Sequence, residues 1–493
     1  MVHKRVVVIG SGFAGLSTAT HLAAAGQDVL LLEKNSTLGG RARKFQAEGF
    51  VFDMGPSWYW MPDVFEKYFE TFGKRVSDYY KLTRLDPSYS VFFGQDDVMD
   101  IPADLEKLKQ ELEKLEPGAG AKLDEFLKQA AYKYQKGIHD LVHRPSLSLT
   151  EFIDFSLVKD LFKMDIFQSM SSHVRKYFTH DKIIRLMEFP VLFLGETAQN
   201  IPALYSLMNY ADIALGTWYP MGGMHQIIEG MVSLAVEKGV EIRANAEVVK
   251  INARAGKAES LLLSNGEIID FDILVAGADY HHVDKKLLEP AFSNYSEAYW
   301  DKRTLAPSSL LFYLGVDKKL QNLHHHNLFF DEPLGPHADA IYKNPKWPEK
   351  PLFYVSVPSQ TDPTVAPKGM ENLFILIPLA PDLEDPEKTR QFYFNLVMDR
   401  LEKLTHQEIR SHIIYQKSYA HQDFKDDYHA FKGNAYGLAN TLMQTAILKP
   451  SLKNKKLSNV YYTGQLTVPG PGVPPSLISG GVVAKEVIKS LGK

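Results

Sequence analysis

Hydrophobic residues set several different rhythms along this chain. Near its start, Val6-Val7-Val8-Ile9 runs into Gly10-Ser11-Gly12-Phe13-Ala14-Gly15. A helix-like stretch follows, and a second apolar run, Val29-Leu30-Leu31-Leu32, ends at Glu33. Short, continuous apolar runs bounded by glycine predict strands buried on both faces, so the start reads as a strand–helix–strand unit. From about Trp58 to Met208 the pattern is mostly helical, with charged amphipathic segments such as residues 104–115, stopped by Pro117-Gly118. Pro220-Met221-Gly222-Gly223-Met224 then leads into a helix over 225–238, closed by Gly239. Strand-like runs follow at 240–243, 246–251 and 259–263, with a turn at Asn265-Gly266, then Ile268-Ile269 and a buried strand at 272–278. Residues 280 to about 450 mix both patterns. The last stretch gives a short strand, Val460-Tyr461-Tyr462, a proline- and glycine-rich loop and a helix over 476–491. No internal repeat is visible.

The glycine turn between the first strand and helix carries chemistry. Gly10 permits the tight turn, Gly12 lets a pyrophosphate approach the backbone, and Gly15 lets helix and strand pack closely. The helix N-terminus presents free N–H groups and its positive dipole end to phosphates. Glu33 stands 18 positions after Gly15, near the place of a ribose-binding carboxylate, and an acid there disfavours a 2′-phosphate. The unit predicts a dinucleotide other than NADP. A second turn, Gly39-Gly40-Arg41-Ala42, places a permanently charged fork after Glu33 and favours FAD over NAD; Gly49 to Ser57 continues that segment. At the far end, Gly464, Gly470 and Gly472 permit close backbone approach to a ligand, and the prolines between them stiffen the loop. A helix starting there would aim its N-terminus at the flavin ring and favour the anionic reduced form.

Composition narrows the field. A chain of 493 residues predicts two or more domains. The balance of 55 basic and 59 acidic residues argues against nucleic acid as a partner. With no cysteine, thiol catalysis, disulfides and cysteine-ligated metals are excluded. No secretory leader and no apolar run long enough to span a bilayer are visible, so the expectation is an intracellular protein, soluble or attached to one membrane face.

Together these segments resemble the bacterial-type phytoene desaturase family of carotenoid desaturases, flavoenzymes of the amine-oxidase-like superfamily. The resemblance rests on the Gly10–Gly15 turn, Glu33, Gly39-Gly40-Arg41-Ala42, Phe52-Asp53-Met54-Gly55-Pro56, Trp218-Tyr219-Pro220-Met221-Gly222-Gly223 and residues 460–473. Weaker similarity lies at 190–201 and from Asp423-Phe424 to Tyr436-Gly437-Leu438. It implies an α/β fold: a Rossmann-like FAD-binding domain made of 1–57, 219–280 and 451–493, interleaved with an α+β substrate domain at 281–450 and a helical, membrane-contacting region at 58–218.

The resemblance also implies site roles. Gly10, Gly12, Phe13, Ala14 and Gly15 would cradle the diphosphate, Glu33 and Lys34 would hold the adenosine side, and Gly40 and Arg41 would clamp the diphosphate. Gly55, Pro56 and Ser57 would lie near the flavin, Val248 would contact the adenine, and Gly464, Gly472 and Val473 would line the pyrimidine end. The chain departs from the family at Val468, where a histidine or similar polar residue is usual; this puts the substrate in doubt, not the flavin.

The implied reaction removes two hydrogens from adjacent carbons of an apolar polyene, phytoene on the way to lycopene, with a quinone or oxygen as final electron acceptor. The alternatives are a later desaturase such as a hydroxycarotenoid 3,4-desaturase, a redox-neutral carotenoid isomerase, and a non-enzymatic prenyl-binding protein of the GDP-dissociation-inhibitor type. No proton acceptor is identified. His324-His325-His326 is not a metal motif, because neighbours on a strand point to opposite sides, and no metal is expected. A carotenoid resides in a bilayer, so a membrane surface is an expected partner, at the inner face of the cell membrane. The stretch from Ser148 to Met170, opening with capping-box spacing at Ser148 and Glu151, is the candidate interfacial helix. Trp58-Tyr59-Trp60-Met61-Pro62 is the candidate lining of a polyene tunnel.

Overall fold

The computed structural model describes residues 3–148, 151 and 164–492. The early apolar runs form the centre of a five-stranded parallel sheet. Arg5–Ile9 lies between Asp28–Leu32 and Ile273–Ala276, with Glu241–Arg243 and Val460–Tyr462 at the edges. Because strand side chains alternate, consecutive residues serve two different cores. Val6 and Val8 pack with Leu16, Ile227 and Val483 of the helices Phe13–Ala24, His225–Glu237 and Val473–Leu491. Val7 and Ile9 pack with Ile251 and Leu261 of a three-stranded antiparallel layer on the other side. Both faces are therefore covered, which is why these strands read as unbroken apolar runs.

Helices Phe13–Ala24 and Val473–Leu491 meet closely at Gly480. A Cβ there would stand 2.4 Å from the Ala14 carbonyl oxygen, and the Ser17 and Thr18 hydroxyls donate across the crossing to Leu477 and Gly480 carbonyls. The C-terminal helix starts at Val473 rather than at 476. Pro474 and Pro475 occupy its first turn, where no N–H is needed.

A second sheet of seven strands runs in the order Ile413–Tyr419, Ser308–Val316, Glu371–Leu379, Phe353–Ser356, His326–Phe329, Tyr89–Gly94, Asp97–Ile101. All its pairs are antiparallel except His326–Phe329 with Tyr89–Gly94. Alternation works here too. Leu310, Phe312, Val355 and Ile375 pack against Val397 and Leu401 of the helix Glu387–Thr405, while Leu311, Tyr313, Tyr354, Phe374 and Leu376 turn to the other face, toward the first sheet.

The stretch from Trp58 to Met208 is helical at Pro62–Glu70, Leu105–Leu115, Ala119–His139 and Asp181–Glu188. Asp104 caps the second of these by accepting from the Lys107 N–H at 3.0 Å. The helical expectation does not hold at Leu82–Arg84, Tyr89–Gly94 and Asp97–Ile101, which are strands. Tyr89-Ser90-Val91-Phe92 is rich in strand-forming residues, and it pairs with partners more than 200 positions away, at Asn327 to Phe329. Most of the candidate interfacial helix, residues 149, 150 and 152–163, lies outside the described residues. The Glu151 carboxylate does accept from the Ser148 N–H at 3.1 Å, one half of the expected box. Among the described residues, no helix is long and apolar enough to cross a membrane.

Candidate functional site

A cleft of about 350 Å³ lies between the glycine turns of the parallel sheet and the apolar face of the seven-stranded sheet. Gly10, Gly12, Phe13, Ala14, Glu33, Lys34, Gly40, Arg41, Gly55, Pro56, Ser57, Val248, Gly464, Gly472 and Val473 all line it. Gly15 is the exception: its Cβ would stand 1.9 Å from the Gly10 carbonyl oxygen, so its place is helix–strand packing. Gly10 adopts φ +94°, and a Cβ on it would meet the Gly277–Ala278 backbone at 3.2 Å. Gly40, at φ +55°, rests against the Gly12 Cα, and a Cβ on Gly55 would come within 2.5 Å of the Arg41 carbonyl oxygen. The turns at 10–15 and 39–41, Gly55 and Gly277–Ala278 thus touch through their backbones.

Gly12 caps the helix Phe13–Ala24 without any side-chain hydrogen bond, which leaves its first-turn N–H groups available. The buried Glu33 carboxylate closes the second strand. It accepts from the Ser11 N–H (3.0 Å), the Ser11 hydroxyl (2.6 Å), the Asn35 N–H (2.9 Å) and the Asn35 amide (3.1 Å), which fixes its position.

Two motifs singled out in the sequence are fastened to each other. The Asp53 carboxylate accepts from the Met224 and His225 N–H groups at 2.7 and 2.9 Å, at the start of the helix His225–Glu237. Gly223 adopts φ +105°, and a Cβ on it would crowd the Asp53 oxygens at 2.9 Å. The Gly222 N–H donates to Asp362 at 2.5 Å. Burial raises the Asp53 pKa to about 6, against the pull of its two backbone donors.

The C-terminal loop is held by Ser479. Its hydroxyl accepts from the Gly464 N–H at 3.0 Å and donates to the Val468 carbonyl at 2.7 Å. Val468 itself is buried, so the departure from the family pattern places an apolar side chain in the core.

The chain matches the family described as flavin containing amine oxidoreductase over residues 13–488. It is 41% identical to a carotenoid 3,4-desaturase of Haloarcula japonica, with 99% of this chain and 98% of that one covered. It is 30% identical to a zeta-carotene-forming phytoene desaturase of Myxococcus xanthus, over 98% and 94%. Among solved structures, an oxidoreductase from Methanosarcina mazei superposes with a TM-score of 0.61 at 18% identity, over 99% of this chain and all of the other. The chain belongs to the flavin-containing amine oxidoreductase family. Within it, the chain is a member of the bacterial-type carotenoid desaturases, an FAD-dependent oxidoreductase.

The cleft of this flavoprotein suits FAD on its own terms. Arg41 lines it with a guanidinium that donates from Nη2 to the Asn434 carbonyl at 3.2 Å and meets the Gln465 side-chain amide at 3.1 Å, and its buried Nε has no partner among the described residues. Among the described residues, no carboxylate lies within ion-pair distance of it. Burial pulls its pKa down, opposed by the more distant Asp279. A buried guanidinium without a counter-ion is costly, and an anion such as a diphosphate supplies what it lacks.

The other half of the cleft is apolar. Trp58, Trp60, Leu311, Phe374, Leu376 and Ala435 form it, with Tyr354 and Tyr436 as the phenols. Of the candidate tunnel segment, Trp58 and Trp60 line the cleft, while Tyr59 and Met61 are buried in the core. A chain of hydrogen bonds supports the tryptophans: Trp60 Nε1 donates to the Thr217 hydroxyl (2.8 Å), and Thr217 and the Tyr89 hydroxyl donate to Asp212 (3.3 and 2.8 Å). Trp58 stacks on His326 at 4.2 Å, and the His326 Nδ1 bonds the Tyr354 hydroxyl at 2.6 Å. Only His326 of the histidine run belongs to a strand; His325 bonds the Thr361 hydroxyl at 2.8 Å, and His324 lies 3.6 Å from Asp100.

Sequence reasoning missed part of the cleft. Phe424, Asp427, Tyr428, His429, Ala435 and Tyr436 line it, as do Asp279 and His282. The signal was present only as the weaker similarity from Asp423 to Leu438.

Proposed function

We propose that this protein is a carotenoid desaturase acting on an acyclic carotenoid already advanced beyond phytoene, at the 3,4-position, and that it works at a membrane surface. The observation that carries the choice of substrate is the 41% identity over 99% of the chain to the carotenoid 3,4-desaturase, against 30% to the phytoene desaturase. A phytoene desaturase is the second reading, favoured by full-length similarity to several relatives of that name.

In this reading Gly10, Gly12, Phe13, Ala14 and Gly40 cradle the diphosphate of FAD, and Arg41 neutralises it. Glu33 and Lys34 face the adenosine side with Val248, while Gly55, Pro56, Ser57, Gly464, Gly472 and Val473 border the flavin. FAD supplies the two-electron acceptor when two hydrogens leave adjacent carbons. The protein orients the polyene along Trp58, Trp60, Leu311, Phe374 and Leu376 and keeps water from it. The charged groups lining the cleft, Glu33, Lys34, Arg41, Glu247, Asp279 and Asp427, gather with His282 and His429 at the nucleotide half. Among the described residues, the apolar half offers the hydroxyls of Tyr354 and Tyr436 and, beside them, the neutral Gln465 amide, which suits a reaction through a delocalised allylic cation whose proton is lost without a strong base.

Leu147 and Phe167, on either side of the segment outside the description, are 40% and 74% exposed. They support membrane docking there, with a quinone or oxygen taking the electrons onward and the protein lying on the inner face of the cell membrane. The test offers FAD-loaded protein phytoene and a hydroxylated acyclic carotene in liposomes, followed by product chromatography. A product two hydrogens lighter from the hydroxylated carotene alone supports the proposal. Conversion of phytoene assigns the second reading. An isomer of unchanged mass from either substrate contradicts both.

A further inference from the structure

We propose that residues 421–435 form a strap that closes the nucleotide half of the cleft, and that the stacked pair His282–His429 retains FAD at the adenine end. The inference rests on the glycine turns being the diphosphate site, as proposed above.

The strap begins in the helix His421–Tyr428, which is rooted in the seven-stranded sheet's side of the molecule. Its Asp423 accepts from the Ala420 N–H at 2.8 Å and pairs with Arg390 at 2.8 Å. From there it crosses to the parallel-sheet side and bonds to four separate segments. Beside the second strand, Lys34 donates to the Asp426 carbonyl (2.6 Å) and Asn35 to the Asp427 carbonyl (3.2 Å). Beside the second glycine turn, Arg43 pairs with Asp427 (2.5 Å), and the Tyr428 ring lies 5.2 Å from the Arg41 guanidinium and 5.1 Å from that of Arg43. Beyond it, the His429 Nε2 meets Glu247 at 2.9 Å, next to Val248, and the Phe431 N–H donates to Asp279 at 3.1 Å.

The imidazoles of His282 and His429 stack at 3.9 Å with 8° between their planes, and both line the cleft beside Lys34 and Val248. His282 follows the strand Ile273–Ala276 and belongs to the parallel-sheet side; His429 belongs to the strap. The pair is therefore a seam between the two sides, at the end where the adenosine would lie. The bonds from the strap to the parallel-sheet side are hydrogen bonds, ion pairs and ring faces, while Phe424 and Ala430 anchor it in the core. The polar contacts break and re-form singly, which suits a closure that opens for cofactor and then holds it. Arg41 couples strap to ligand, since its Nη2 donates to the strap carbonyl of Asn434 while its Nε stays unpartnered.

The test measures FAD and FMN binding to apo-protein by flavin fluorescence, with dissociation rates, for wild type, His429→Ala, His282→Ala and Asp427→Asn. FMN lacks the adenosine monophosphate and keeps one phosphate, so it reports on the flavin end and its phosphate without the adenine end. The expected result is FAD dissociation at least tenfold faster in His429→Ala and His282→Ala, with FMN affinity unchanged. Asp427→Asn should speed FAD release through the loosened strap while leaving the bound-flavin spectrum unchanged. Far-UV circular dichroism of the apo-variants checks the fold, and His429→Phe, which keeps a stacking ring, should release FAD more slowly than His429→Ala. Unchanged FAD dissociation in both histidine variants overturns the proposal, as does equal weakening of FAD and FMN. Wild-type protein that binds neither flavin would instead overturn the cradle itself.

Discussion

On one side of the cleft the walls are main chain; on the other they are rings and branched side chains. The nucleotide half depends on backbones that touch where any Cβ would intrude, as at Gly15, Gly40 and Gly55. The apolar half depends on the filled face of a sheet, with Leu311, Tyr354, Phe374 and Leu376 directed into the cleft and Trp58 leaning on His326. The first kind of wall tolerates almost no substitution and serves one ligand shape. The second can change its contour by repacking.

Four experiments bear on that contrast. The largest effect is expected at Gly15. A Cβ 1.9 Å from the Gly10 carbonyl oxygen cannot be accommodated without parting helix from strand, so Gly15→Val should cost at least about 3 kcal/mol. Little folded, flavin-bearing protein should be recovered, and a wild-type melting temperature would break the account of that wall.

Acid should come next. Burial lowers the pKa of His325 and His282 to about 3 and of His337 and His173 to about 4, and that of His326 well below its usual value. A folded-state pKa below the unfolded value means that the unfolded chain binds more protons under pH 6.5, so stability is full above that pH and falls as pH drops. Burial raises Asp212 and Asp53 to about 7 and about 6, which pulls the other way with fewer groups. Urea midpoints should fall between pH 7 and pH 4.5, with the unfolding free energy dropping by several kcal/mol in total. His325→Gln, under the apolar half, should flatten the loss; a pH-independent midpoint would contradict the buried, neutral histidines.

Gly12 separates ligand from fold. Unlike Gly15, it has nothing within 4 Å of where its Cβ would stand, and that space belongs to the cleft. Gly12→Val should leave the melting of apo-protein unchanged and weaken FAD by roughly 100-fold, about 2.7 kcal/mol. Normal flavin content would remove the diphosphate from this turn. The smallest effect sharpens the other wall: Trp58→Ala should keep its FAD and lose about tenfold in kcat/KM for the carotenoid, roughly 1.4 kcal/mol of binding to the reacting polyene. Loss of flavin with unchanged kcat/KM would assign Trp58 to the nucleotide half instead.

The same contrast governs how much was readable beforehand. The nucleotide half is written locally: strand, glycine turn, helix and acid follow one another within residues 5–33, and each demands a residue type. Its later pieces, Arg41 and the C-terminal glycine loop, were found because glycine and proline mark conformation wherever they stand. The apolar half is marked only by the aromatic run at Trp58–Pro62. Its sheet joins Tyr89–Gly94, within a stretch otherwise helical, to His326–Phe329, within one of mixed pattern, across more than 200 positions. Asp53 holding Met224 and His225, and His429 stacking on His282, are contacts between distant segments, which no periodicity encodes.

The most direct test of the central claim, that a backbone-built FAD cradle faces an apolar carotenoid wall, is an anaerobic titration of FAD-loaded protein with the hydroxylated acyclic carotene. Flavin absorbance near 450 nm would be followed together with the product's mass. The account predicts one flavin reduced for each new carbon–carbon double bond, and a product two hydrogens lighter. A flavin that stays oxidised while the carotenoid keeps all its hydrogens, with phytoene giving the same result, would contradict it.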